Sequence, residues 1–169
     1  MAHGIDLIES ESQLIELMTR PSPPVVEAVG ALDGDILILG VGGKMGPTLA
    51  ELLVRAGARR VIGVSRFSDS SVERYLERTG VETIRADLLD EEALSSLPRS
   101  RYVYFLAGFK FGATGNETET WAVNAYLPAR VVDRYRDSKI VYLSSGNVYE
   151  LAPVDAAGSP EDAALGPVG

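Results

Sequence analysis

Three glycines, Gly40, Gly43 and Gly46, follow the apolar run Ile36-Leu-Ile-Leu39 at three-residue spacing. Glycine lets a backbone take positive φ and lets a ligand or a helix approach without a Cβ in the way. At this spacing the first glycine serves a tight turn, the second admits a pyrophosphate, and the third packs a helix closely on a strand. Lys44 and Met45 complete the loop. The helix that follows points N–H groups and the positive end of its dipole at an anion. Such a pattern alone is weak, but its strand, its helix and a second strand beyond them mark a dinucleotide phosphate loop. The structural alternative is a tight β–α turn that binds nothing.

Further residues with chemistry fall at the ends of predicted strands, where open α/β sheets hold their ligands. Ser65 and Arg66 end the second strand, Asp87 and Leu88 follow the third, Ala107 and Gly108 the fourth, and Ser144 and Ser145 the fifth. An acidic residue at the end of strand two would take the ribose hydroxyls of NAD and repel a 2′-phosphate. Serine and arginine instead offer a hydroxyl donor and a planar cation suited to phosphate. NADP is therefore the preferred cofactor, with NAD served by Asp69 as the alternative.

The elements that must position these residues alternate β-α-β-α-β-α from Asp35. Strands are expected at 35–39, 60–65, 81–86, 102–107 and 139–144, with helices at about 44–56, 69–79 and 117–136 and a short one after Asp90. Gly57 and Gly80 stop two of the helices, and Asp90 caps the short one, with Glu91 and Glu92 favourable in its first turn. The strands are nearly all apolar and do not alternate, as when both faces of a parallel sheet are covered. Residues 35–150 thus read as a Rossmann-type, doubly wound α/β domain of expected strand order 3-2-1-4-5. Residues 1–34 read as a helical extension packed outside the sheet, with Ile8, Leu14, Ile15 and Met18 on an amphipathic helix at 8–20 and a second helix at about 24–31. Residues 151–169 read as a loop leading to a C-terminal portion beyond the chain.

With 169 residues the chain suffices for one such domain. A net charge of −8 opposes nucleic acid and anionic membrane surfaces. The absence of cysteine excludes disulfides, thiolate catalysis and cysteine metal sites. The single histidine, His3, is close to a terminus, where chains are poorly anchored, so no metal site is expected. No signal-peptide pattern and no apolar stretch of about 20 residues are present, which makes the cytoplasm the expected compartment.

Together these residues resemble the extended short-chain dehydrogenase/reductase family, also called the NAD-dependent epimerase/dehydratase family. Gly40-x-x-Gly43-x-x-Gly46 matches its phosphate loop, with Leu39 in place of the usual threonine. Ala86-Asp87-Leu88 is similar to its adenine-contacting segment, and Ala107-Gly108 to the small pair beside the cofactor ribose. Ser144-Ser145-Gly-Asn-Val-Tyr149 resembles its Ser-Ser-x-x-Val-Tyr-Gly run, with Glu150 replacing the glycine. The resemblance implies that Asp87 accepts from the adenine amino group, that the Leu88 amide donates to the ring, and that Ser145 is the catalytic serine. That serine hydrogen-bonds the substrate oxygen being oxidised or reduced. Asp87 and Ser145 also have structural readings, as a strand-ending aspartate and a turn-forming hydroxyl.

Asn124 matches the family's helical asparagine, although Leu127-Pro128 replaces the usual Gly-Thr. Pro128 deprives the Asn124 carbonyl of its helical donor. The freed carbonyl either binds a water or a lysine near the active site or marks a packing kink. Tyr149 is read as a packing residue, and Trp121 and the strand-four aromatic residues as core or interface.

The implied activity is hydride transfer between nicotinamide and a nucleotide-sugar-like or polyol substrate, in an epimerase, dehydratase or reductase. The family's Tyr-x-x-x-Lys pair exchanges a proton with the substrate. After Ser145 this chain has one tyrosine, Tyr149, and no lysine. The chain is expected to bind NADP or NAD and not to turn over substrate alone, the pair lying beyond residue 169. It is also expected to expose an apolar face and an unpaired edge at strand five. The resemblance implies a homodimer in the longer protein. A non-enzymatic NAD(P)-binding sensor or scaffold is the alternative. A domain for another nucleotide or S-adenosylmethionine would leave the Ser-Ser-x-x-Val-Tyr run without a role.

Overall fold

The computed structural model describes residues 7–109 and 115–166, so His3 lies outside the described residues. Its centre is the strand Ile36–Leu39 (β1), buried along its whole length. A strand buried on both faces needs helices above and below it. With Val61–Ser65 (β2), Glu82–Arg85 (β3), Tyr102–Phe105 (β4) and Lys139–Tyr142 (β5) it forms a five-stranded sheet of order β3-β2-β1-β4-β5, every pair parallel. This is the order read from the sequence. Leu39 pairs with both Val64 and Phe105, so the three central strands end level and their loops emerge together.

Uniform strand burial holds only at the centre. β3 exposes Glu82 and Arg85, β4 alternates buried Val103 and Phe105 with half-buried tyrosines, and β5 is largely exposed. An edge strand has a neighbour on one side only, and its outer side chains meet solvent.

Alternate residues of β1 serve two cores. Ile36 and Ile38 face Gly46–Arg55 (α3) and Ser70–Arg78 (α4), meeting Ala50, Leu53 and Leu76. Leu37 and Leu39 face Glu91–Ser96 (α5) and Leu127–Arg134 (α7), meeting Leu94, Leu127 and Val131. Gly57 and Gly80 end their helices at φ +90 and +88, a region open to glycine. The Asp69 and Asp90 carboxylates cap α4 and α5 by accepting the Ser71 and Ala93 N–H groups, each at 2.8 Å.

The helix expected at 117–136 is interrupted. Glu117–Trp121 (α6) passes into a π-helical stretch, Ala122–Tyr126, before α7 begins. Pro128 has no N–H for the Asn124 carbonyl, and the turn before it widens so that the Leu127 N–H donates to the Ala122 carbonyl, five residues back. Trp121 is 72% exposed, so it is no part of the core. Among the described residues no helix is long and apolar enough to cross a membrane.

The N-terminal helices are Glu11–Thr19 (α1) and Pro23–Gly30 (α2). α2 adds Val29 to the core, whereas α1 lies on α3 and not on the sheet. The Arg55 guanidinium on α3 donates to the Glu16 carboxylate at 2.8 and 2.9 Å and to the buried Thr19 hydroxyl at 2.6 Å. The Arg55 hydrogen bonds hold the Glu16 carboxyl at about 2, below its ordinary 4.5. A carboxyl depressed in the folded state stabilises above its ordinary value, and that stabilisation is lost as pH falls toward the folded one. We expect the docking of α1 on α3 to weaken as pH falls from 4.5 toward about 2. Amide protection factors across residues 11–19, corrected for the intrinsic pH dependence of exchange, would report it, and protection unchanged over that range would refute it.

Candidate functional site

At the carboxyl ends of β1 to β4 the loops surround a cavity of ≈ 380 Å³. The chain leaves β1 at Gly40, whose φ is +87 and where a Cβ would stand 2.5 Å from the Ala107 nitrogen. The Gly40 and Val41 N–H groups both donate to the Val64 carbonyl, at 2.9 and 3.1 Å, and the Gly43 N–H donates to the Gly40 carbonyl at 3.1 Å. Gly46 opens α3 so close to the loop that a Cβ would sit 2.1 Å from the Val41 oxygen. Gly40 and Gly46 are therefore required by the protein's own packing.

Gly43 and Gly108 are different. A Cβ on Gly43 would come no nearer than 3.4 Å to the Gly40 oxygen, and one on Gly108 no nearer than 3.8 Å to Asn124 Oδ1, and neither glycine has positive φ. Both are exposed and line the cavity from separate loops. No side chain caps α3, and Pro47 occupies its first turn, where a missing N–H costs little.

The next wall is the loop after β2. The Ser65 hydroxyl oxygen accepts the Phe67 N–H at 3.4 Å, and a Cβ on Gly42 would stand 2.5 Å from that oxygen. The exposed Arg66 guanidinium lies 3.9 Å from the Asp87 carboxylate. Asp69 also lines the cavity, but its carboxylate is engaged at the α4 cap, where the Ser71 hydroxyl and N–H hold it below the usual carboxylate range. After β3, Asp87 uses Oδ1 to accept the Leu89 N–H at 3.0 Å, and Leu88 is buried in the core.

After β4, Ala107, Gly108 and Phe109 form the remaining wall. Asn124, from the π-helical stretch, grips the Phe109 backbone twice: Oδ1 accepts its N–H at 2.8 Å and Nδ2 donates to its carbonyl at 2.7 Å. A widened helix turn therefore fixes a cavity loop through a side chain, where the sequence suggested a role for the carbonyl.

Gly40, Gly43, Ser65, Arg66, Asp87, Leu88, Ala107 and Gly108 are thus brought around one cavity. Gly46 packs behind the loop, and Lys44 and Met45 are exposed beside it without lining the cavity. Ser145 does not line it either. It sits exposed after β5, its carbonyl accepting the Val148 N–H at 3.5 Å. Beyond, the chain makes a 3₁₀ turn, Gly146–Val148, and one antiparallel bridge between Tyr149 and Leu165. Phe67, Val72, Phe109, Glu119 and Val123 line the cavity without having been anticipated. For Glu119 and Val123 a signal existed, since with Leu127 they recur at four-residue spacing on one helix face.

Comparison with known proteins accords with this geometry. The profile of the NAD dependent epimerase/dehydratase family matches residues 36–168. No curated protein matches the chain significantly. A short-chain dehydrogenase/reductase superfamily protein from Agrobacterium tumefaciens, solved with bound NAD, is 27% identical with a TM-score of 0.65, over 80% of this chain and 40% of that one. An epimerase from Methanothermobacter thermautotrophicus is 28% identical with a TM-score of 0.66, over 79% and 43%. A mutant UDP-glucuronic acid 4-epimerase from Bacillus cereus, 21% identical with a TM-score of 0.64 over 79% and 46%, shares the fold. The chain spans less than half the length of each of these structures.

Proposed function

The chain belongs to the NAD-dependent epimerase/dehydratase family, and from that premise we propose that it is the part of an oxidoreductase or epimerase that binds NADP or NAD. The observation that carries this reading is the pair Gly43 and Gly108. Among the described residues nothing requires glycine at either position, yet both border the same cavity. A bound group that must touch the backbone explains both. A volume of ≈ 380 Å³ falls within the range of small-molecule sites.

In this reading Gly43 and the uncapped start of α3 take the pyrophosphate, with Lys44 and Met45 flanking it. The second carboxylate oxygen of Asp87 and the Leu88 amide meet the adenine. Ala107 and Gly108 admit a ribose, and Asn124 holds their loop in place. Ser145 hydrogen-bonds the substrate oxygen at which hydride is exchanged. The cofactor, when bound, supplies or accepts that hydride. The proton-exchanging Tyr-x-x-x-Lys pair has no counterpart among the residues after Ser145, and we place it outside this chain. The substrate class, a nucleotide-sugar or similar polyol, is taken from the family alone. A non-enzymatic dinucleotide sensor is the second reading, favoured by Ser145 being exposed and not among the residues that line the cavity.

Arg66 and Ser65 support a preference for NADP, and the engagement of Asp69 at the α4 cap removes it as a ready partner for NAD. Calorimetric titration should show NADPH binding about tenfold more tightly than NADH, the scale of one charge-assisted hydrogen bond. Arg66→Asp should reverse the order. Equal affinities before and after would remove the Arg66 assignment, and a folded chain that binds neither dinucleotide would remove the functional reading.

A further inference from the structure

The loop that presents Ser65 and Arg66 contains a phenylalanine in the left-handed region. Phe67, at φ +47, is the one non-glycine residue of positive φ among the described residues, and it is 3% exposed. A bulky residue keeps that conformation only where its surroundings over-determine it. Its ring is buried in the core on the α3 and α4 side of the sheet, its N–H donates to Ser65 Oγ, and its carbonyl is held by one side chain from β3. Arg85, opposite Ser65 in the β2–β3 register, donates from Nη1 to the Arg66 carbonyl at 2.7 Å and to the Phe67 carbonyl at 2.8 Å. Its guanidinium carbon stands 5.7 Å from the Phe67 ring centroid, and Nη2 pairs with the Glu73 carboxylate on α4. Two successive carbonyls converge on one cation, with the ring stacked beneath it.

Arg85 itself does not line the cavity, whereas Arg66 and Phe67 do. We propose that Arg85 is a positioning residue for cofactor selectivity, holding the 66–67 turn so that the Arg66 side chain stays at the cavity where a 2′-phosphate would lie. The inference rests on the dinucleotide-binding reading above. NADH makes no demand on the Arg66 side chain, so loosening this turn weakens NADPH selectively. A merely structural role would weaken both alike.

The test uses the full chain carrying Arg85→Met, which keeps the unbranched stem and loses the fork, beside Arg85→Lys, which keeps the charge and part of the donation. Circular dichroism monitors folding, and titration gives both affinities. NADPH affinity should fall about tenfold in Arg85→Met with NADH changed less than about threefold, and Arg85→Lys should recover part of the ratio. An unchanged NADPH/NADH ratio in both variants, or equal losses for the two cofactors, overturns the proposal. If Arg85→Met does not fold, Arg85→Lys decides, a reduced ratio supporting the proposal and an unchanged one overturning it. If the parent chain binds neither dinucleotide, the functional reading fails and takes this inference with it. If parent and variants discriminate alike, only the role of Arg85 fails.

Discussion

A chain with alanine at position 46 should melt well below the parent. The new Cβ would lie 2.1 Å from the Val41 oxygen and 2.6 Å from the Val41 carbonyl carbon and Cα. All three are backbone atoms of the loop that Gly40 turns, and no flexible side chain can give way. Either α3 backs off from β1 or the loop opens, and both disturb the core around Ala50 and Leu53. Overpacking of this kind costs about 3 kcal/mol, and for a domain of this size that lowers Tm by roughly 6–12 °C. Thermal denaturation followed by circular dichroism measures it. A drop of less than about 2 °C would show that the contact relaxes at little cost.

Three residues earlier the same kind of substitution should have the opposite profile. At position 43 an added Cβ meets, among the described residues, the Gly40 oxygen at 3.4 Å, on a backbone outside the left-handed region. The position is exposed and lines the cavity, so a valine there is expected to take up ligand space more than to crowd the fold. Tm should stay within about 2 °C of the parent, while dinucleotide affinity should fall about a hundredfold, the loss of some 2.7 kcal/mol of close contact. Calorimetry on the two proteins side by side decides it. Unchanged affinity would mean that the cavity is filled from another direction and that Gly43 is glycine for no ligand's sake.

Much of the framework was legible because its signals are local. Gly57, Gly80 and Asp90 act within a turn of where they stand, and β1 and β2 announce their burial by unbroken apolar runs. The strand order followed from right-handed crossovers between consecutive parallel strands. What stayed hidden depends on partners distant in sequence. Nothing in Phe67 or its neighbours predicts a left-handed turn, and the guanidinium that holds its carbonyl comes from Arg85, eighteen residues away. Pro128 announced a disturbance of its helix. That the helix would widen, and that Asn124 would reach the Phe109 backbone, depends on where β4 ends beneath it. The docking of α1 on α3 through Glu16 and Arg55 links residues thirty-nine apart. The site divides in the same way. The phosphate loop is a contiguous motif, whereas the wall formed by Glu119 and Val123 exists only once the helix lies across the sheet.

The two margins of the sheet are finished differently. Along β3, Glu82 is held by Arg60 and Arg85 by Glu73, so an incoming strand would meet paired charges. Along β5, Val141 and Tyr142 are 48% and 47% exposed. Charge on a margin discourages strand addition, and an apolar margin invites it. Open-ended growth needs two unlike surfaces that fit each other, whereas a contact made by the same margin of both copies closes on itself with two-fold symmetry. The two margins of this sheet are unlike in that sense: paired charges line β3, whereas exposed Val141 and Tyr142 follow Lys139 along β5.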